Sequence, residues 1–396
     1  MKKTLCLLLA LVMVVGMLAG CGSNAGNSAD NETAAPANND GNPTFKIGSS
    51  GPLTGGAAIY GTAVMNAARI AVDEINAMDG IHFEFQAQDD EADSGDKAIN
   101  AYNTLMDWGM QVMVGTVTSG SGITVSAQAF QDRTFMLTPS GSSVDVIKDK
   151  DNAFQVCFTD PNQGTGSADY IAEHFPGAKV AVIYRNDDAY SQGIRDTFVA
   201  EFTAKGLTVE YEGTFTADTA TDFSVQLTAA QSAGADILFL PIYYQPAAVI
   251  LQQANQMGYA PTFFGVDGMD GILTLENFDT SLAEGVYLLT PFSADADDAR
   301  TQAFVAEYQK RYGEVPNQFA ADGYDAVYIV KAALEAAGCT PDMSAAEICE
   351  ALIKVMPTIT VDGITGEGMT WAATGEVSKA PMAVVIKDGV YVTPEN

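Results

Sequence analysis

Histidine, tryptophan, cysteine and positive charge are scarce in this chain. Its 396 residues include two His, two Trp and five Cys, and 19 Lys and Arg stand against 50 Asp and Glu, a net charge of −31. So acidic a chain repels nucleic acid and anionic lipid, which argues against either as a direct partner. His82 and His174 lie far apart and no Cys-x-x-Cys occurs, so a zinc site lacks ligands. There is no Gly-x-Ser-x-Gly, no Walker Gly-Lys-Ser/Thr and no His-Glu-x-x-His. Asp89, Glu91 and Asp93 alternate like calcium ligands, but Ser94 replaces the Gly and Asn100 the final Glu that such a loop needs. Gly164-Thr165-Gly166 is followed by Asp169, which would repel a pyrophosphate where the dinucleotide fingerprint wants Gly or Ala. These absences point away from an enzyme and imply no cofactor and no metal.

Apolar residues, by contrast, make up 47% of the chain, enough to bury the cores of two domains. The stretch Met110 to Ser143 organises the rest. Val112-Met113-Val114 runs into Gly115 to Gly122, a helical period follows through Ile123, Val125, Ala127 and Phe130, and Phe135-Met136-Leu137 runs into Thr138 to Ser143. Two neighbouring strands thus end in Ser/Thr/Gly loops at one edge of a sheet, where open α/β sheets bind ligands. Hydroxyls and free N–H groups at a helix start suit a small anion. Neither loop carries Lys or Arg, which points to a singly charged group such as a carboxylate rather than a phosphate.

Met1-Lys2-Lys3, the apolar run Leu5 to Leu18 and the small pair Ala19-Gly20 read as a secretory leader, too short for a membrane span. Removing Lys2 and Lys3 with the leader takes the charge to −33. Leu18-Ala19-Gly20-Cys21 resembles the bacterial lipobox, which implies lipidation of Cys21 and anchoring to the outer face of the cell membrane. Gly22 to Asn42 has no Val, Ile, Leu, Met or aromatic residue and reads as a tether. From Phe45 strands and helices alternate, restart after Asp160-Pro161, and give way after Pro291 to long helices and terminal strands. This order predicts parallel sheets covered by helices.

In order along the chain stand Ile47-Gly48, Gly51-Pro52-Leu53-Thr54-Gly55 with Gly61, Asp89-Asp90, Val114-Gly115, Thr118-Ser119-Gly120, Thr138-Pro139-Ser140, Gly323-Tyr324-Asp325-Ala326, Gly363-Ile364-Thr365-Gly366 and Gly375-Glu376. In these pieces and their spacing the chain resembles the type I periplasmic binding proteins, specifically the branched-chain amino acid (leucine/isoleucine/valine) binding subfamily of ABC transport. The resemblance implies an α/β fold of two doubly wound parallel-sheet lobes joined by three crossovers, near Asp160-Pro161, Thr290-Pro291 and Trp371 to Glu376. The expected division is a leader at 1–20 and the lipidated Cys with its tether at 21–44. The first lobe would follow at 45–161 and 291–371, the second at 162–290, and C-terminal strands at 372–396 would return to the second.

The resemblance also implies a site in the cleft. Ser119, Ser140, Gly141 and Ser142 would hold an amino acid's carboxylate, the two outer Ser by hydroxyl and Gly141 by its N–H. Asp267, in Gly265-Val266-Asp267-Gly268, would take the ammonium group, with Asp270 a second candidate and a helix cap the competing role for Asp267. Tyr60, Tyr190 and Tyr243, with Tyr244 and Phe319 behind them, would wall an apolar or aromatic-lined side-chain pocket. Cys339 and Cys349 flank a helix–helix loop and could pair or remain separate thiols. Cys157 reads as a small core residue. The implied function is capture of a branched-chain or other apolar amino acid by a monomer that delivers it to an ABC permease. Binding of an amide, urea or aromatic acid, or ligand sensing, stands as the alternative.

Overall fold

Short, wholly apolar strands need cover on both faces, and the chain supplies it by alternating them with helices. The computed structural model describes residues 42–394; the leader, Cys21 and nearly all of the tether lie outside the described residues. The first run comprises β1 (Thr44–Gly51), α1 (Ala58–Asn76), β2 (His82–Asp89), α2 (Asp96–Trp108), β3 (Val112–Val114), α3 (Ser119–Asp132), β4 (Phe135–Thr138), α4 (Val144–Ile147) and β5 (Ala153–Gln155). Its strands form a parallel sheet in the order β2-β1-β3-β4-β5. The order reverses between β1 and β3, so a crevice opens beyond their carboxyl ends, where the loop Gly115 to Thr118 leads into α3.

The second run is α5 (Asp160–His174), β6 (Val180–Arg185), α6 (Ala189–Ala204), β7 (Val209–Phe215), α7 (Ser224–Ser232), β8 (Ile237–Leu240), α8 (Tyr244–Met257), β9 (Thr262–Gly265) and β10 (Tyr287–Thr290). Its strand order, β7-β6-β8-β9-β10, repeats that of the first sheet. The chain then adds α9 (Ala299–Tyr312), α10 (Gln318–Ala337) and α11 (Ala345–Val355) to the first lobe, with α10 and α11 packed on β3 and β4. It ends with β11 (Met382–Lys387) and β12 (Val390–Val392), which extend the second sheet antiparallel from β10. The fold is thus two doubly wound α/β lobes joined by three crossovers.

Each sheet is the middle of a core. Ile47, Val112, Val114, Phe135 and Leu137 are sealed in the first, and Val180, Val182, Ile237 and Phe239 in the second. Two glycines permit the close approaches that aim the cleft residues. A Cβ on Gly61 would lie 1.9 Å from the Pro52 carbonyl oxygen, so only glycine lets α1 seat against the loop after β1. A Cβ on Gly164 would lie 2.1 Å from Thr197 Oγ1 and 2.4 Å from the Ile194 carbonyl, so glycine draws α5 against α6.

Candidate functional site

The two hydroxyl-rich loops of the first lobe are stitched together before they can meet anything else. Thr138 Oγ1 donates to the Thr116 carbonyl at 2.5 Å, Ser140 Oγ to the Val117 carbonyl at 2.7 Å, and the Ser143 N–H to Ser119 Oγ at 3.1 Å. Gln155 Nε2 donates to the Gly141 carbonyl at 2.8 Å. Ser119 accepts in this network, so its own proton stays available to donate. Ser142 Oγ is buried and has no hydrogen-bond partner among the described residues. Gly141 departs from expectation. Its N–H donates to Thr138 Oγ1 at 2.8 Å, because the loop folds back on the end of β4. Ser140 likewise spends its proton within the loop. Ser119 and Ser142 therefore remain as the side-chain donors.

The second lobe contributes acid and phenol. Asp267 opens a short 3₁₀ turn, Asp267–Met269, whose capping position is Val266, so Asp267 is not a helix cap. Its Oδ1 accepts from the Tyr190 hydroxyl at 2.5 Å, its N–H donates to Gln163 Oε1 at 3.2 Å, and its carbonyl accepts from Gln318 Nε2 at 2.8 Å. Burial pushes the Asp267 carboxyl up to about 6, against the downward pull of the Tyr190 bond. Asp270 works differently. Its two oxygens accept from the N–H groups of Gln318 and Gly271, both at 2.8 Å, which fixes the start of α10.

Tyr60, at the start of α1, joins the lobes. Its hydroxyl donates to the Gly268 carbonyl and accepts from the Tyr244 N–H at 3.2 Å. Its ring packs on Phe319 at 4.2 Å, Tyr244 at 5.0 Å and Tyr243 at 5.4 Å, and Tyr243 reaches Tyr190 at 5.0 Å. Of the adjacent pair, Tyr244 is sealed in the core and Tyr243 is half-buried. The bonds from Tyr60 and Gln318 across to the 265–270 loop hold the lobes closed on one another. A recess of about 540 Å³ opens between the lobes, lined by Gly56, Ser94, Thr118, Arg185, Asp188 and Tyr243 among others. Of the predicted site residues only Tyr243 reaches it. Ser119, Ser142, Tyr190 and Asp267 lie deeper, sealed from solvent.

Sequence reasoning missed Asp160, Gln163 and Gln318. Asp160 precedes Pro161 at the start of α5, where an acid is ordinary, and Gln carries no motif. Yet Asp160 is 1% exposed and neither carboxylate oxygen has a hydrogen-bond partner among the described residues. Asp89 accepts from the Leu53 N–H at 2.8 Å and the Thr54 hydroxyl at 2.6 Å and so holds the neighbouring loop, whereas Asp90 beside it is buried and accepts from the Ala92 N–H. Among the described residues no group of three or more His, Cys, Asp or Glu could hold a metal ion. The pairing considered for Cys339 and Cys349 is not formed. Both are free buried thiols, as is Cys157. Cys339 closes the last turn of α10 through its N–H to the Leu334 carbonyl, whereas Cys349 lies within α11, in the field of Arg133 and Glu350.

The geometry is that of a two-lobed binding protein, and the comparisons agree. The periplasmic binding protein family model matches residues 44–389, and the chain belongs to that family. Its type I fold and its resemblance to branched-chain amino acid binding proteins follow from the relatives. It is 30% identical to the Leu/Ile/Val-binding protein homolog 3 of Brucella melitensis, over 84% of this chain and 88% of that one. The branched-chain amino acid transporter substrate-binding protein LivJ of Streptococcus pneumoniae, solved with isoleucine, matches with a TM-score of 0.78 and 28% identity, covering 89% of this chain and 100% of that one. An ABC-transporter solute-binding protein of R. palustris, solved with benzoate, matches in fold with a TM-score of 0.79 and 21% identity, covering 88% and 95%. Members of this family are binding proteins that work outside the cytoplasm. Among the described residues no helix is long and apolar enough to cross a membrane.

Proposed function

We propose that this protein captures a branched-chain or other apolar amino acid by closure of its two lobes and presents it to an ABC permease, as a monomer anchored through a lipidated Cys21. The observation that carries this reading is a pair of sealed polar groups on opposite lobes. Ser142 Oγ, with Ser119 beside it, offers hydrogen to an anion, and Asp267 offers negative charge to a cation. An amino acid's carboxylate and ammonium group match them in sign, and Tyr60, Tyr190 and Tyr243 supply apolar faces for its side chain. Hydrogen bonds to charged groups contribute about 1.5–3 kcal/mol each, enough for a few of them to drive closure. The relatives named for Leu/Ile/Val binding and the isoleucine complex support the same class of ligand.

The test is a thermal-shift screen of the full-length chain, unfolded and refolded to strip carried ligand, against amino acids, amides, urea and aromatic acids. A ligand at 100 times its dissociation constant stabilises by about 2.7 kcal/mol. A shift with leucine, isoleucine or valine that Asp267→Asn removes supports the reading; a shift only with ligands lacking an amine overturns it. One observation favours a second reading. The packed rings of Tyr60, Tyr190, Tyr243 and Phe319 would also suit an aromatic acid, and a fold relative holds benzoate. In that case benzoate shifts the protein and leucine does not.

A further inference from the structure

From the surroundings of Asp160 we infer that it completes the cation site: its carboxylate and that of Asp267 take one ligand ammonium group between them. This rests on the amino-acid reading above and narrows it to ligands that bring a cationic centre beside the carboxylate.

Asp160 lies on the first crossover, in the first turn of α5. An acid there gains from the helix dipole, which would explain a carboxylate turned toward solvent. Here the carboxylate is sealed, no Lys or Arg among the described residues pairs with it, and neither oxygen has a hydrogen bond of normal geometry. A buried acid left so bare is costly unless something else neutralises it. Its neighbours are the site itself. The Asp160 N–H donates to the Ser142 carbonyl at 3.0 Å, which brings it to the loop that carries the unpartnered Ser142 hydroxyl. The Ser142 hydroxyl lies close enough to pull the proton affinity of Asp160 down, although no hydrogen bond of normal geometry joins their side chains. Within the next turn, Gln163 touches the Asp267 N–H through Oε1 while its Nε2 has no partner among the described residues.

Helix α6 reaches both acids. A Cβ on Gly193 would lie 3.1 Å from Asp160 Oδ2, and Tyr190, three residues earlier, bonds Asp267 Oδ1. After burial itself, Asp267 is close enough to raise the proton affinity of Asp160. Ser142 Oγ, both Asp160 oxygens and Gln163 Nε2 are thus unpartnered buried atoms gathered beside Asp267. A cation between the two carboxylates satisfies the acids, and the ligand's carboxylate satisfies the donors. An aromatic or aliphatic acid without an amine brings no cation to either carboxyl.

The experiment measures the binding of leucine, 4-methylpentanoate (leucine's skeleton without the amine) and 3-methylbutylamine by calorimetry, with ligand-free melting temperatures alongside. It compares the stripped full-length wild type with Asp160→Asn. We expect Asp160→Asn to bind leucine and the amine about 10- to 100-fold more weakly, 4-methylpentanoate no worse, and to melt higher than wild type without ligand. A merely structural Asp160 would lower the melting point and leave the preference for leucine over 4-methylpentanoate unchanged, which overturns the inference. So does leucine affinity within twofold of wild type. If Asp160→Asn fails to fold, Gly193→Ala, whose methyl presses on Asp160 Oδ2, must weaken leucine without weakening 4-methylpentanoate, or the inference falls. Wild type that binds no amino acid overturns the amino-acid reading itself, separately from the role of Asp160.

Discussion

Two groups of buried acids sit near the crossovers, and their different treatment separates structure from site. On the third crossover Lys379 is sealed against α10, with Nζ 3.2 Å from Asp322 Oδ1 and 2.6 Å from Thr365 Oγ1. Asp325, one turn along, accepts from the Ile364 and Thr365 N–H groups, both at 2.9 Å, and from the Thr365 hydroxyl at 2.6 Å. Every acid there has its counterpart inside the protein. In the cleft, among the described residues, Asp160 has no cation and no hydrogen bond of normal geometry, and Asp267 has a phenol but no cation. Compensated charge holds the return of the chain to the second lobe. Uncompensated charge is tolerated where closure around a ligand can supply the missing partner.

The largest effect is expected from breaking the compensated group. Lys379→Met leaves Asp322 without its cation and strips a bond from Thr365. Removing one partner of a buried pair costs about 3–5 kcal/mol. Burial holds the Asp322 carboxyl up at about 7 even with Lys379 beside it. Without Lys379 the carboxyl is pushed higher still, so at low pH the variant's Asp322 takes a proton and escapes part of the penalty. Urea unfolding should therefore show a loss of about 3 kcal/mol at pH 8 and clearly less at pH 5. An equal loss at both pH values would show that Lys379 contributes by packing and not by charge.

Much of this contrast was legible in the sequence on one side only. The Ser/Thr/Gly runs after β3 and β4 announce donor loops, and Gly265-Val266-Asp267-Gly268 announces an acid at a strand end, because such loops have a residue signature. Which donors are already spent has none: Gly141 loses its N–H to Thr138, and Ser140 its proton to Val117, through a fold of the loop that composition does not encode. Asp160 looked like punctuation before Pro161, since a missing partner is visible only in three dimensions. Helix α10 begins at Gln318 because Asn317 caps it, its Oδ1 accepting from the Ala320 N–H at 3.0 Å. Strand β7 runs to Phe215 because Gly213 and Phe215 keep its inward face buried while Glu210 and Glu212 mark the outer one.

On the uncompensated side, Asp267→Asn should stabilise the ligand-free protein. The folded carboxyl titrates at about 6 because it is buried, whereas the unfolded one titrates near 4. Between those values the folded state holds a proton that the unfolded state has released, so stability falls as pH rises through that window and stays reduced above it. Removing the charge should add on the order of 2 kcal/mol at pH 7 and nothing near pH 4. The same change should abolish the stabilisation by leucine. A variant less stable than wild type at pH 7 would mean that Asp267 is compensated after all and belongs with the Lys379 group.

Tyr60→Phe tests whether closure itself is held by neutral bonds. It removes the hydroxyl that joins α1 to Gly268 and Tyr244 while keeping the ring on Phe319. Leaving a buried carbonyl and N–H unpartnered should cost about 1–2 kcal/mol of the closed form, or about tenfold in ligand affinity. Small-angle scattering of the ligand-free variant should report more of an open form. Unchanged affinity would assign closure to the ligand and the 265–270 loop contacts alone.

The smallest effect, an expected zero, concerns the thiols. Cys339 and Cys349 are free and lie in different surroundings, the first at the end of α10 and the second in the field of Arg133 and Glu350. Burial raises both thiols, Cys349 to about 12, so neither is a ready thiolate at neutral pH. A reductant should leave the melting temperature unchanged, and alkylation in denaturant without prior reduction should label Cys157, Cys339 and Cys349 alike. Labelling of Cys157 alone, with a melting point that drops on reduction, would show that an oxidised pair forms outside the cell. The first lobe would then owe about 2–3 kcal/mol to a short covalent loop, an amount comparable to the charge effect predicted for Asp267.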